Sequence, residues 1–344
     1  MGIKLFDSEK DNNPIEYLRT KYNVPIFDFD EFDPDEMFIG ANKKNFVRVK
    51  GSYLLTMYKN LKFKPNNYVT CVDDLIYSKD SSREIFSNAS ISCILKHVND
   101  LRKDTQMKEL VASRLANILG IKTEYVSIIA GTNDKYLAID FLKKDETFEN
   151  FKNYFDFMNK KSFYSFNGYN SCLDKFLDPM CIDILNNTKA GSQYEKAIKL
   201  KRFLIDFVKL YFFKKYIVHD SDVCSVNFGV VLSNDKKDIS MAPGFDYERS
   251  FEPGIRSGQA DGLEEDVKYL AEFYPSILRN VIKEMKITGS TFNQIKRVFD
   301  IYPFNANNSS DLYNLVNNSL LSLLGYTKIY LSSNGKRNNM ELDN

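Results

Sequence analysis

From Ile198 to Val218 the chain carries Leu200, Phe203, Leu204, Ile205, Phe207, Val208, Leu210, Tyr211, Phe212 and Phe213. A helix with that many large apolar residues has no polar side broad enough to face water, so it sits centrally and the fold is assembled around it. Lys199, Lys201, Arg202, Asp206, Lys209, Lys214 and Lys215 interrupt the same run and exclude a membrane span.

The order of elements after this helix is equally constraining. The chain breaks at HDSDVCSVN, resumes as a short apolar run FGVVL, turns through SNDKKD and returns as ISMAP. That reads as a helix, a loop and a hairpin. Residues 263–286, 291–300 and 309–324 read as further helices, with Pro275 starting a new one, and a polar, mobile tail is expected from Ser332.

Upstream the pattern is different. Residues 1–36 are acidic and read as an N-terminal extension. Phe46–Val49 and Tyr53–Lys59 read as two strands with Lys50-Gly51-Ser52 between them. Residues 82–98 read as a helix, and Thr105–Leu119 as a second one ended by Gly120. EYVSIIAG and KYLAIDFL flank a turn and read as a hairpin. Residues 148–218 read as helical. The expectation is an α+β chain with a sheet-rich lobe over 37–147, a helical lobe over 148–331 and a tail over 332–344.

Composition narrows the partners. The chain has 344 residues, 43% of them hydrophobic, enough for a large core. Lys and Arg number 47 against 46 Asp and Glu, so no basic surface is imposed and nucleic acid is not favoured. Two histidines and five scattered cysteines without a CxxC argue against a zinc site or a disulfide framework. No signal-peptide core and no apolar stretch of ~20 residues occur. The expected location is the cytoplasm, or outside the cell by a route that cleaves no signal.

Phosphoryl transfer needs a carboxylate to orient the attacking hydroxyl, oxygen ligands for Mg²⁺ and a cation for the phosphates. Asp222 and Asn227 stand five residues apart on the loop after the central helix, and Asp246 directly follows the hairpin. Loops between a buried helix and a hairpin hold side chains rigidly and leave their tips free. Asp220, Asp222 and Asn227 would also suit plain caps and turns.

HDSDVCSVNFGVVL followed by ISMAPGFDYERS resembles the HipA-like kinases, in particular the CtkA-type serine/threonine kinases. Asp222, Asn227, Phe228, Gly229, Ala242, Pro243, Phe245 and Asp246 carry the resemblance. Asp220 stands where that family has Asn, and Cys224 where it has His. A fainter resemblance starts at Phe38-Ile-Gly-Ala-Asn42. It implies that the second strand ends in the ATP-binding lysine, which is Lys59, with Lys50 as competitor. Glu109 matches an acidic residue of the family's first helix and would orient Lys59. Asp140 and Leu142 end a strand where a kinase backbone meets adenine.

The resemblance thus implies a two-lobed protein-kinase-like fold with ATP and Mg²⁺ in the cleft. Asp222 orients the hydroxyl, and Asn227 and Asp246 hold Mg²⁺. The implied acceptor is a serine or threonine of a protein, with autophosphorylation included. A lipid or small-metabolite kinase uses much the same parts. A pseudokinase that only binds partners is the reading from a different class.

Overall fold

The computed structural model describes residues 33–38, 44–50, 90–97, 105–124, 126–128, 135–139, 141–142, 146–155, 173–188, 191–233, 238–251, 261–302 and 309–340. The chain divides into two compact units. One takes Met1–Ile118, Lys122–Lys143 and Asn293–Tyr313; the other takes Leu119–Ile121, Lys144–Phe292 and Asn314–Asn344.

The first unit holds an antiparallel sheet of β1 (Asp33–Phe38), β2 (Lys44–Lys50), β3 (Ser90–His97), β4 (Val126–Ile128) and β5 (Lys135–Ile139), in the order β1-β2-β3-β5-β4. Strand β1 begins inside the segment expected to be an extension. Strand β3 corrects the helix expected over 82–98. In SISCILKH the inward positions Cys93 and Leu95 are buried and Ile94 between them is less so, the two-residue period of a strand. Lys96 lies opposite Tyr136 of β5, and Cys93 opposite Ile139. The expected strand Tyr53–Lys59 lies outside the described residues.

Helix α1 (Thr105–Ile118) forms as expected, and Gly120 follows it with φ 67°, a left-handed conformation that glycine adopts without a Cβ penalty. Leu110, Val111, Leu115 and Ala116 are buried. Ser113 donates to the carbonyl of Glu124 at 2.8 Å and Arg114 to that of Val126 at 2.9 Å, tying the helix to the start of β4. The expected hairpin is present as β4 and β5, pairing Val126 with Ala138.

The second unit is mainly helical. A small sheet, β6 (Glu146–Asn150), β7 (Gly229–Ser233) and β8 (Ile239–Met241), is antiparallel throughout. Strand β6 corrects the expectation that the chain is helical from 148. Its partner β7 lies about eighty residues on, and an element that exists through a distant pairing leaves little local signal. One turn of helix, α2 (Phe151–Tyr154), follows, capped by the Asn150 side chain.

Helix α3 (Leu177–Asn187) precedes the central helix, α4 (Gln193–Phe212). Ser192 and Glu195 form a reciprocal capping box at the start of α4. From Phe203 onward every residue of α4 is buried. Phe151, Phe176, Phe203, Phe207, Tyr211 and Phe228 make a continuous aromatic core, with Phe207 5.8 Å from Phe228 and 5.7 Å from Phe151 between ring centres. Burying one such ring contributes roughly 1.5–3 kcal/mol. Phe155, also fully buried, packs edge-on against Phe151 at the margin of this core.

Helices α5 (Asp261–Phe273), α6 (Pro275–Met285), α7 (Gly289–Ile301) and α8 (Ser309–Met340) complete the chain, with Pro275 opening α6. Buried Asp266 of α5 accepts from Tyr211 at 3.0 Å, Tyr216 at 2.5 Å and the backbone of Leu173 at 2.8 Å, and pairs with Lys215 at 3.6 Å. Burial pushes its carboxyl above the ordinary range, and Lys215 pulls it back. Helix α8 continues to Met340, so the segment expected as a tail from Ser332 starts within the helix. Among the described residues no helix is long and apolar enough to cross a membrane.

Candidate active site

The central helix does not end in an ordinary turn. Residues Phe213–Ile217 wind as a π-helix, closed by Val218 N donating to Phe213 O at 2.9 Å. A π turn carries an extra residue per turn and often marks a functional site. Here both Lys214 and Lys215 are buried, Lys215 toward Asp266 and Lys214 toward the loop that follows.

That loop is held from several directions. His219 has φ 49°, Asp246 φ 59° and Phe251 φ 60°, three non-glycine residues in the left-handed region within one stretch. Each costs of order 1–3 kcal/mol, and such strain persists where the surroundings over-determine it. The surroundings are visible. Phe251 N donates to Val218 O at 2.8 Å, Ser221 N to Arg249 O at 3.2 Å, and Phe151 N to Phe228 O at 2.9 Å. Gly244 admits no side chain: a Cβ there would lie 1.9 Å from the Tyr247 hydroxyl and 2.6 Å from Leu210.

Asp222, Asn227 and Asp246 all belong to this network. Asp222 is half-buried; its N–H donates to Asp220 Oδ1 at 2.9 Å and its carbonyl accepts from Asn227 Nδ2 at 2.9 Å. Cys224 Sγ donates to Asp222 Oδ1 at 3.5 Å. Lys214 Nζ donates to Asp220 Oδ2 at 3.1 Å and to the backbone carbonyl of Asp246 at 2.9 Å. The ammonium also lies over the Tyr247 ring, 4.7 Å from its centre. Burial raises the Asp220 carboxyl above its ordinary value, Lys214 opposes this, and the Asp246 charge adds to the rise. Burial also pushes the Cys224 thiol up to about 11, helped by Asp222.

Asn227 and Asp246 carry oxygen donors of the kind a hard divalent cation takes. Asn227 commits the donor end of its amide to the Asp222 carbonyl, which leaves Oδ1 free of that bond. Asp246 supplies a carboxylate. Among the described residues no group of three His, Cys, Asp or Glu could hold a metal. Mg²⁺ asks for few protein ligands and shares the rest with phosphate and water.

In the first unit, Glu109 is fully buried and accepts from the Tyr136 hydroxyl at 2.9 Å. Lys96 forms a buried ion pair with Glu124 at 2.5 Å and lies over the Tyr136 ring, 5.5 Å from its centre. Lys59 and Asp140 lie outside the described residues. Lys50 ends β2, and Leu142 is half-buried just after β5. Sequence reasoning missed Lys96 because 82–98 read as a helix; the alternation of Cys93 and Leu95 with Ile94 was the available signal. It missed the role of Lys214 because nothing in FKKYI announces a π turn.

No protein-family model matches the chain, and no curated protein does. Solved structures do. The chain matches the crystal structure of the Helicobacter pylori proinflammatory kinase CtkA with a TM-score of 0.54 at 14% identity, covering 90% of this chain and 99% of that one. HipA in its complex with HipB and operator DNA from Shewanella oneidensis MR-1 matches with a TM-score of 0.40 at 13% identity, over 72% of this chain and 60% of that one. The first likeness carries the fold alone; the second is too loose to add to it. The chain shares the overall fold of a CtkA-type structure, as the motif's resemblance implied.

Proposed function

We propose that this protein is a kinase of two-lobed, protein-kinase-like architecture that transfers the γ-phosphoryl group of ATP to a serine or threonine of a protein, itself included. The observation that supports this most is the loop network: Asn227 donates to the Asp222 carbonyl, Asp222 N–H to Asp220, and Lys214, paired with Asp220, to the Asp246 carbonyl, so the carboxylate and the two oxygen ligands phosphoryl transfer needs belong to one hydrogen-bonded set.

In this reading Asp222 orients the attacking hydroxyl and takes its proton. Its backbone is held on both sides, and Cys224 occupies Oδ1, which leaves Oδ2 for the substrate. Asn227 Oδ1 and the Asp246 carboxylate would hold Mg²⁺, which when bound offsets the charge of the phosphates. For the phosphate lysine, Lys96 is the better candidate than Lys59 or Lys50. It stands near the end of a central strand, its buried amine paired with Glu124 and lying over the ring of Tyr136 of β5, whose hydroxyl donates to Glu109 of helix α1. The segment after β5, Asp140 to Leu142, would meet adenine.

The test is transfer from γ-labelled ATP with Mg²⁺ or EDTA, against protein, lipid and small-metabolite pools, with sites mapped by mass. Mg²⁺-dependent label on Ser or Thr is expected. Label on a lipid or metabolite would move the reading to that class, and ATP binding without transfer to anything would make the chain a pseudokinase.

A further inference from the structure

The departure of Asp220 from the resembling family's Asn has a structural counterpart. Lys214 and Asp220 are both fully buried and paired at 3.1 Å. The same ammonium reaches across to the carbonyl of Asp246 at 2.9 Å, and the same carboxylate accepts the N–H of Asp222 at 2.9 Å. Asp220 N in turn donates to Lys214 O at 2.7 Å, so the π turn and the loop close on each other. One cation thereby touches the Asp246 backbone directly and the Asp222 backbone through the Asp220 carboxylate.

We propose that Lys214, held by Asp220, is a positioning residue that sets the spacing between the Asp222 loop and the Asp246 turn. The inference rests on the kinase reading and deepens it. Neither Lys214 nor Asp220 touches substrate in it. Lys214 donates to the carbonyl of the very residue whose carboxylate would ligate Mg²⁺, and the strained φ of 59° at Asp246 shows that this turn does not rest where it would alone. The π turn serves the arrangement by directing the Lys214 side chain at the loop while Lys215, next in sequence, reaches Asp266 of α5. A buried ammonium needs a full counter-charge, and Asn could not supply it; Asp220 does.

The test compares two charge-neutral pairs, K214M/D220N and K214Q/D220N. Both remove the buried charges, and both keep an Asn oxygen for the Asp222 N–H. The second also keeps a donor, one atom shorter, for Asp246. Transfer rate and the Mg²⁺ concentration for half-maximal rate are measured at saturating ATP, with thermal melting as control. The Met pair is expected to lose about 100-fold in rate, the scale of an ångström-sized misplacement, and to need about ten times more Mg²⁺. The Gln pair should recover most of both. Equal behaviour of two folded pairs overturns the proposal. If neither pair folds, amide exchange in the wild type decides: Mg²⁺·ATP should slow exchange at Asp222 and across 244–248 together, and protection confined to 244–248 overturns the proposal. Failure of the wild type itself to bind Mg²⁺·ATP would instead sink the kinase reading.

Discussion

The side-chain amide of Asn227 donates to the backbone carbonyl of Asp222 at 2.9 Å. The residue offered as metal ligand therefore also fixes the residue offered as base. Changing Asn227 to Ala removes both services. Transfer should fall by at least ~100-fold and its Mg²⁺ requirement should rise. The fold should lose only about 1 kcal/mol, one ordinary hydrogen bond. Thermal melting and a Mg²⁺ titration of the rate check this together; a variant with normal Mg²⁺ dependence removes Asn227 from the metal site.

Lys96 and Glu124 are 7% and 2% exposed, so breaking their pair strands a buried charge. Lys96→Met alone should destabilise by about 3–5 kcal/mol. Lys96→Met with Glu124→Gln removes both charges and should fold better than the single variant, yet bind ATP and transfer phosphate poorly. Lys59→Met and Lys50→Met should be mild. Isothermal titration with Mg²⁺·ATP ranks them, and the opposite ranking would return the phosphate contact to Lys59.

Cys224 and Cys181 are both free thiols pushed up to about 11, in each case first by burial. A raised thiol pKa means less thiolate at a given pH. From an ordinary value near 9, the shift cuts the thiolate at pH 8 by about 100-fold. Alkylation by iodoacetamide at pH 8, mapped by peptide mass, should be slow at both until the protein is denatured. Rapid labelling of native Cys224 would show that its surroundings stabilise the thiolate.

Gly229 begins β7 where β6 pairs with it, and a Cβ there would lie 2.2 Å from the Phe148 ring and 2.9 Å from the Glu149 carbonyl. Gly229→Ala should cost about 1–3 kcal/mol through overpacking. Amide exchange should show the loss concentrated in 146–150. An unchanged melting temperature would mean that β6 yields freely.

How much of this was legible in the sequence follows from how local each signal is. Helix α4, the break after it, the β7–β8 hairpin and the β4–β5 hairpin all announce themselves through periodicity and turn residues within a short window. Strands β3 and β6 do not. The run SISCILKH has apolar residues at spacings a helix also satisfies, and only burial of Cys93 and Leu95 against β5 decides for the strand. Reading it as a helix hid Lys96. Asp222, Asn227 and Asp246 were legible because their order along the chain is itself the motif. Lys214 was not, because a lysine in an apolar helix reads as an exposed charge, and the π turn that buries it leaves no mark in FKKYI.

The most direct test of the account compares Asp222→Asn with Asp246→Asn. Both substitutions keep shape and remove one carboxylate charge. If Asp222 orients the hydroxyl and Asp246 holds the metal, Asp222→Asn binds Mg²⁺·ATP almost as the wild type does and transfers phosphate at least ~100-fold more slowly. Asp246→Asn loses Mg²⁺-dependent binding along with transfer. The measurement is paired: Mg²⁺·ATP affinity by titration and phosphate transfer by label, on wild type and both variants. Equal ATP affinity in all three, with no transfer by any of them, would contradict the central claim and leave a kinase fold put to binding alone.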